Sequence, residues 1–228
     1  DKKAKDKKKK GGTTATLSPA QQQRAERLFL EAEKAKVIED WEAAIQNYRD
    51  FLQLNPTNAN AHFQLAQVYF QTNRLNEAEK EALAATRLDP ENRWYAEMLA
   101  TAYMNQGKSK EAGEVLKQLI TKFPNDPDGY LNLAFLYARL GQLDNAIKVY
   151  DQFEKNFGID ENVIEEKKNL YLRQNKITEA IAEIRKLQEA YPGEISYLLM
   201  EADIYRATRQ NEKAIAIYKK ILETEPDN

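Results

Sequence analysis

Residues 127–160 read PDGYLNLAFLYARLGQLDNAIKVYDQFEKNFGID. Tyr130, Leu133, Ala134 and Tyr137 recur at three- and four-residue steps, the spacing of one helix face. Leu140-Gly141-Gln142 breaks the pattern, and Gly141 suits the left-handed position after a helix end. Leu143, Ala146, Ile147 and Tyr150 then mark a second apolar stripe. The stretch predicts a helical hairpin. One hairpin cannot bury both of its faces, so copies must stack.

The prolines show that copies exist. Pro56, Pro90 and Pro124 are 34 residues apart, as are Pro192 and Pro226, and Gly158 fills the vacant step. With this residue as position 32, the units are 25–58, 59–92, 93–126, 127–160, 161–194 and 195–228. Position 20 is alanine in every unit (Ala44, Ala78, Ala112, Ala146, Ala180, Ala214). Position 11 is Tyr69, Tyr103, Tyr137, Tyr171 and Tyr205, with Ala35 in the first unit. Position 8 is alanine except for Lys168. Small residues at 8 and 20 let helix backbones approach, and the tyrosine fills the space towards the next helix.

This pattern of small residues, tyrosine and proline resembles the tetratricopeptide repeat family. The resemblance covers about nine tenths of the chain. It implies an all-α fold, a right-handed superhelical solenoid of six helix-turn-helix units over 18–228, with first helices lining a concave groove. It also implies that positions 2, 5, 9, 12 and 13 face that groove. Phe63, Phe70, Trp94, Met104, Leu131 and Phe135 then form an apolar strip, and Arg139, Arg173 and Arg206 a ladder for a partner's carboxylates. Pairing of Arg139 with Asp203 or Glu165 is the competing reading. The family's clamp for a C-terminal carboxylate finds no matching register here: repeats one to three offer Phe29, Glu33, Gln64, Trp94 and Met98.

Composition excludes other chemistry. There is no cysteine and one histidine, His62, so thiolate sites and multi-histidine metal sites are out of reach. No Gly-rich phosphate loop has its flanking strand. The pair Asp126 and Asp128 lacks the remaining ligands of a calcium loop. No catalytic, cofactor or metal site is expected. The function expected is a non-enzymatic scaffold that binds a protein or peptide segment. The alternative is an arm of a larger cell-envelope or secretion assembly, touching partners through its ends or convex face.

Residues 1–10 hold seven lysines and two aspartates, and the rest of the chain carries net −7. Residues 1–17 read as a disordered lysine-rich linker, with weak anionic-surface contact as its sharper use and no specific nucleic-acid binding. Such a leader favours the bacterial periplasm or envelope, with the cytoplasm as alternative. Starting at Asp1, the chain reads as a processed or excised product.

Ser18-Pro19-Ala20-Gln21 predicts a capped helix start. In the fifth unit, Lys167-Lys168 stands where leucine and alanine are wanted. The expectation is a helix that turns Lys168 outwards, with a kink after the fourth unit. At the other end, Ile215, Tyr218, Ile221 and Leu222 are expected to leave apolar surface uncovered, for further chain or a partner to meet.

Overall fold

The computed structural model describes residues 17–224. The lysine-rich leader, apart from Leu17, lies outside these residues, and so do the expectations for it. The chain forms two compact units, residues 1–98 and 99–228, whose described parts are 17–98 and 99–224. Twelve α-helices and no strand occur among the described residues.

The N-terminal unit holds α1 (Pro19–Val37), α2 (Trp41–Leu54), α3 (Ala59–Gln71) and α4 (Leu75–Leu88), and the division falls inside α5 (Arg93–Asn105). The C-terminal unit continues with α6 (Ser109–Lys122), α7 (Pro127–Arg139), α8 (Leu143–Phe157), α9 (Glu161–Arg173), α10 (Ile177–Ala190), α11 (Ile195–Ala207) and α12 (Asn211–Thr224). Within each unit, helices pack on their chain neighbours: α1 to α4 in the first, α6 to α12 in the second.

The 34-residue period fixes the boundaries. Second helices of the six repeats begin at Trp41, Leu75, Ser109, Leu143, Ile177 and Asn211. Ser18 and Gln21 form the reciprocal capping box, Gln21 N–H donating to Ser18 Oγ and Ser18 N–H to Gln21 Oε1. Asn58 and Asp160 cap α3 and α9 with one bond each, their side chains accepting from Ala61 and Val163 N–H. Every hairpin then turns identically. Position 15 is left-handed in all six repeats (Glu39, Asn73, Gly107, Gly141, Asn175, Arg209). The next N–H bonds back to the carbonyl of position 11 at 2.8–2.9 Å. That closes the first helix's loose carbonyls in a Schellman-type cap. Only two of the six positions are glycine, so the turn tolerates the cost of a side chain there.

The position-20 alanines are buried throughout, as are the position-8 alanines. They line the seams where the helices of a hairpin meet, and the bulk is supplied elsewhere. In the N-terminal unit the core is built on Ile45, Tyr48, Leu65, Val68 and Tyr69. In the C-terminal unit one cluster joins Ile164, Ile181, Ile184, Leu187, Tyr197 and Ile204.

One expectation is corrected. The inward-facing lysine of α9 is Lys167, at position 7, where repeats two to four carry Leu65, Leu99 and Leu133. Its side chain is completely enclosed. Its ammonium lies 2.7 Å from Asp151, 3.1 Å from Glu154 and 3.0 Å from Glu183. An isolated buried ammonium is prohibitive, but three carboxylates make the burial tolerable. The helix therefore has no need to turn Lys167 to solvent. Lys168 is also mostly covered, and pairs with Glu165 on its own helix at 2.9 Å. The next repeat again places a charge at position 7: Glu201 is buried and accepts from Arg185 and Gln188.

The expected bare face of α12 is confined to Ile215 and Leu222. Ile221 is buried and Tyr218 half-buried. At the position equivalent to Ile215, Ile181 is buried beneath the next repeat.

Candidate partner-binding surface

In the N-terminal unit, a concavity of about 340 Å³ opens between α1, α2, α3 and α5. Trp41, Val68, Phe70 and Met98 form its apolar walls, and Lys36, Gln67 and Gln71 supply its polar groups. Its size is at the small end of ligand pockets. Trp41 is there because it is the first residue of α2, held by the Asp40 cap. Gln67 and Gln71 lie four apart and so share a face of α3. The Lys36 ammonium is already neutralised: it sits 3.1 Å from Glu33 and donates to Gln64 Oε1.

Glu33 in turn accepts from the Tyr48 hydroxyl. Burial, reinforced by this acid, pushes the Tyr48 phenol far above its ordinary value. The lining is therefore apolar with hydrogen-bonding edges and little net charge.

The structure divides the expected strip. Phe70 lines the concavity. Phe63 is half-buried and packs on Tyr95, ring centroids 5.0 Å apart. Trp94 is 52% exposed, with the Arg93 guanidinium 4.0 Å from its ring. In the C-terminal unit Met104 is half-buried, Leu131 is partly exposed and Phe135 is 54% exposed.

The arginines also separate. Arg139 is exposed, its guanidinium 6.0 Å from the Phe135 ring centroid. It makes none of the ion pairs recorded among the described residues. Arg173 is exposed on α9, one period later. Arg206 is tied to Asp203 at 2.9 Å. Asp203 thus serves Arg206 and not Arg139.

Sequence reasoning missed Trp41 and Met98, because the positions carried over were groove positions of first helices. Trp41 is on a second helix, and Met98 is at position 6. An aromatic at the first residue of α2, where the other repeats carry Leu75, Ser109, Leu143, Ile177 and Asn211, was the available signal.

His62, the lone histidine, serves packing. Its Nδ1 meets Glu81 at 2.6 Å and its Nε2 meets the Pro56 carbonyl at 3.1 Å, which ties α3 to α4 and the preceding loop. The Glu81 bond raises its pKa above the ordinary value, against burial, which lowers it.

A tetratricopeptide repeat model matches residues 39–101, and a second matches 97–158 and 169–228. The chain belongs to the tetratricopeptide repeat family. Among curated relatives, human protein O-mannosyl-transferase TMTC3 is 27% identical over 191 residues, covering 81% of this chain and 21% of that protein. The chain spans about a quarter of the length of the first curated relatives it matches. Solved structures agree in fold. A tetratricopeptide repeat protein from Parabacteroides merdae superimposes with a TM-score of 0.66 at 19% identity, over 89% of this chain and 80% of that one. YrrB, described as a TPR protein with an unusual peptide-binding site, gives 0.54 at 17% identity, over 79% and 93%. The tetratricopeptide repeat fold is in general a protein–protein interaction scaffold. Among the described residues no helix is long and apolar enough to cross a membrane.

Proposed function

We propose that this tetratricopeptide repeat chain is a non-enzymatic scaffold holding an extended segment of a partner protein against its first helices. The carrying observation is the Trp41–Phe70 concavity. Its walls accept one bulky apolar side chain, and Gln67 and Gln71 offer donors and acceptors to the backbone on either side. Aromatic anchors in a preformed recess are the usual centres of binding energy. Trp94 in the same unit adds exposed aromatic surface. On the C-terminal unit, Leu131, Phe135, Arg139 and Arg173 present apolar surface beside cations, which suits a segment mixing apolar and acidic residues. The peptide-binding site named for YrrB is consistent with this reading.

The test compares wild type with a Phe70→Ala/Trp94→Ala variant in affinity capture, with circular dichroism confirming that both are folded. Loss of a specific partner from the variant is expected. Equal recovery of that partner by both proteins would sink the reading.

The second reading, contact through the ends within a larger envelope assembly, is favoured by Ile215 and Leu222 on α12. Under it, the Phe70/Trp94 variant is silent and Ile215→Ser/Leu222→Ser is not.

A further inference from the structure

The junctions between successive repeats differ in one respect. At the first, Glu42 of α2 reaches across to Arg74, just before α4, as an ion pair. At the fourth, Asp144 of α8 does the same to Lys176, just before α10, at 3.2 Å. The two pairs use the same repeat positions, 18 of one unit and 16 of the next. Each straps a second helix to the turn of the following repeat.

Two junctions within the C-terminal unit lack the strap. At the third, the same positions are Lys110 and Gln142, and at the fifth they are Thr178 and Gln210. A notch opens at each, of about 360 Å³ at the third and about 240 Å³ at the fifth. The two notches share their lining register. Gly113, Lys117, Tyr137 and Gln142 in one correspond, two periods on, to Ile181, Arg185, Tyr205 and Gln210 in the other. Each has a cation at position 25, a tyrosine at position 11 and a glutamine amide at position 16.

The charges also match. Each notch has one cation with an acid beside it: Lys117 with Glu114 at 3.2 Å, and Arg185 with Glu201 at 2.7 Å. Each also has a second cation, Lys110 in one and Lys213 in the other. Neither makes any ion pair recorded among the described residues. Lys213 donates to Gln210 Oε1 at 2.8 Å and lies 5.1 Å from the Tyr205 ring centroid. Each notch is thus left with one positive charge and has a tyrosine in its lining.

We propose that these two notches are a pair of carboxylate-binding sites, and that together they dock an acidic segment of a partner protein on a surface separate from the first-helix face. A carboxylate there replaces the missing Glu42- or Asp144-type strap and takes up the charge of Lys110 or Lys213. The ligand is a carboxylate and not a phosphate polymer. Glu114 lines the first notch and the buried Glu201 backs Arg185 at the second, and a single remaining charge per site matches one carboxylate rather than the closely spaced phosphates of a nucleic acid. The surface is distinct from Trp41 and Phe70, so it stands or falls apart from the scaffold reading above.

The experiment follows backbone amide shifts of the full chain at low salt as a short peptide of alternating glutamate and alanine is added. The lysine–alanine counterpart is the control, and a short oligothymidylate is the phosphate arm. Shifts are expected at Lys110, Gly113, Gln142, Thr178, Gln210 and Lys213. Lys110→Glu/Lys213→Glu, both surface changes, is expected to weaken the glutamate peptide about tenfold, as loss of two charge-assisted contacts predicts. Phe70→Ala is expected to leave it unchanged. Three results overturn the proposal: no shifts in the notches with the glutamate peptide, equal binding by the charge-reversed variant, or stronger binding of the oligothymidylate to the same residues.

Discussion

Lys167 Nζ lies 3.0 Å from Glu183 Oε1, and neither side chain is open to solvent. Lys186 bridges Glu183 and Glu154 at 2.7 and 2.9 Å, so α8, α9 and α10 are joined through one charge cluster. Removing Lys167 leaves the buried Glu183 and the half-buried Glu154 sharing Lys186 and one cation short. Lys167→Met should therefore destabilise the C-terminal unit by roughly 3 kcal/mol, although methionine fits the core better. Adding Glu183→Gln should recover part of the loss. Hydrogen exchange on α9 and α10 reads both. Burial alone lowers the Lys167 pKa, but the hydrogen bonds its ammonium donates to Asp151 and Glu183 prevail and raise it. The contribution is then whole below the ordinary lysine value of about 10.4 and is lost only as pH rises through the higher folded value. Wild type and Lys167→Met should differ by a constant amount across neutral pH.

His62 behaves in the neutral range. Its pKa is raised by Glu81, so its contribution is full below the unfolded value of about 6.5 and fades as pH rises through the folded one. Urea unfolding at about pH 5.5 and about pH 8 should show wild type losing about 1 kcal/mol more than Glu81→Gln over that interval. Parallel pH profiles for the two proteins would refute the assignment.

Gly158 is the step where the other repeats have proline. Restoring the repeat residue looks conservative, yet φ there is +87° and its N–H donates to the Glu154 carbonyl at 2.9 Å. Proline fixes φ near −65° and has no donor. Gly158→Pro should cost about 3 kcal/mol in thermal or urea unfolding. The same geometry lets α8 run to Phe157, one residue beyond the other second helices.

Leu133 and Phe135 are two residues apart on α7, one 1% and the other 54% exposed. Leu133→Ala should cost about 3 kcal/mol in chemical denaturation. Phe135→Ala should change stability by less than about 0.5 kcal/mol. If Phe135 is a binding anchor, its variant instead shows a weakened partner complex at unchanged stability.

The helical hairpins were legible because one period recurs six times, so weak positional preferences reinforce each other. The Ser18–Gln21 start was legible because the capping contact is local. Lys167 was not, because its partners come from α8 and α10, and nothing local shows that Asp151, Glu154 and Glu183 converge on one atom. The repeat pattern marks both Lys167 and Lys168 as departures, but it points to an outward turn of Lys168 and shows no partner for Lys167. The surface was legible only by half. Position numbers identified Phe70, Trp94 and Phe135 as surface candidates, but could not tell that Phe63 packs on Tyr95 or that Arg206 is claimed by Asp203.

A chain of similar hairpins faces a sorting problem: any second helix offers a seat that several first helices nearly fit. The enclosed lysine gives one seat an address. Position 7 elsewhere is Glu31, Leu65, Leu99, Leu133 or Glu201. A hairpin slipped in from any other place would bring no position-7 lysine to Asp151 and Glu154 on α8. Mis-seated arrangements are thereby penalised at the fourth-to-fifth junction. Moving or duplicating the fifth repeat in an engineered array would have to carry its acidic neighbours with it.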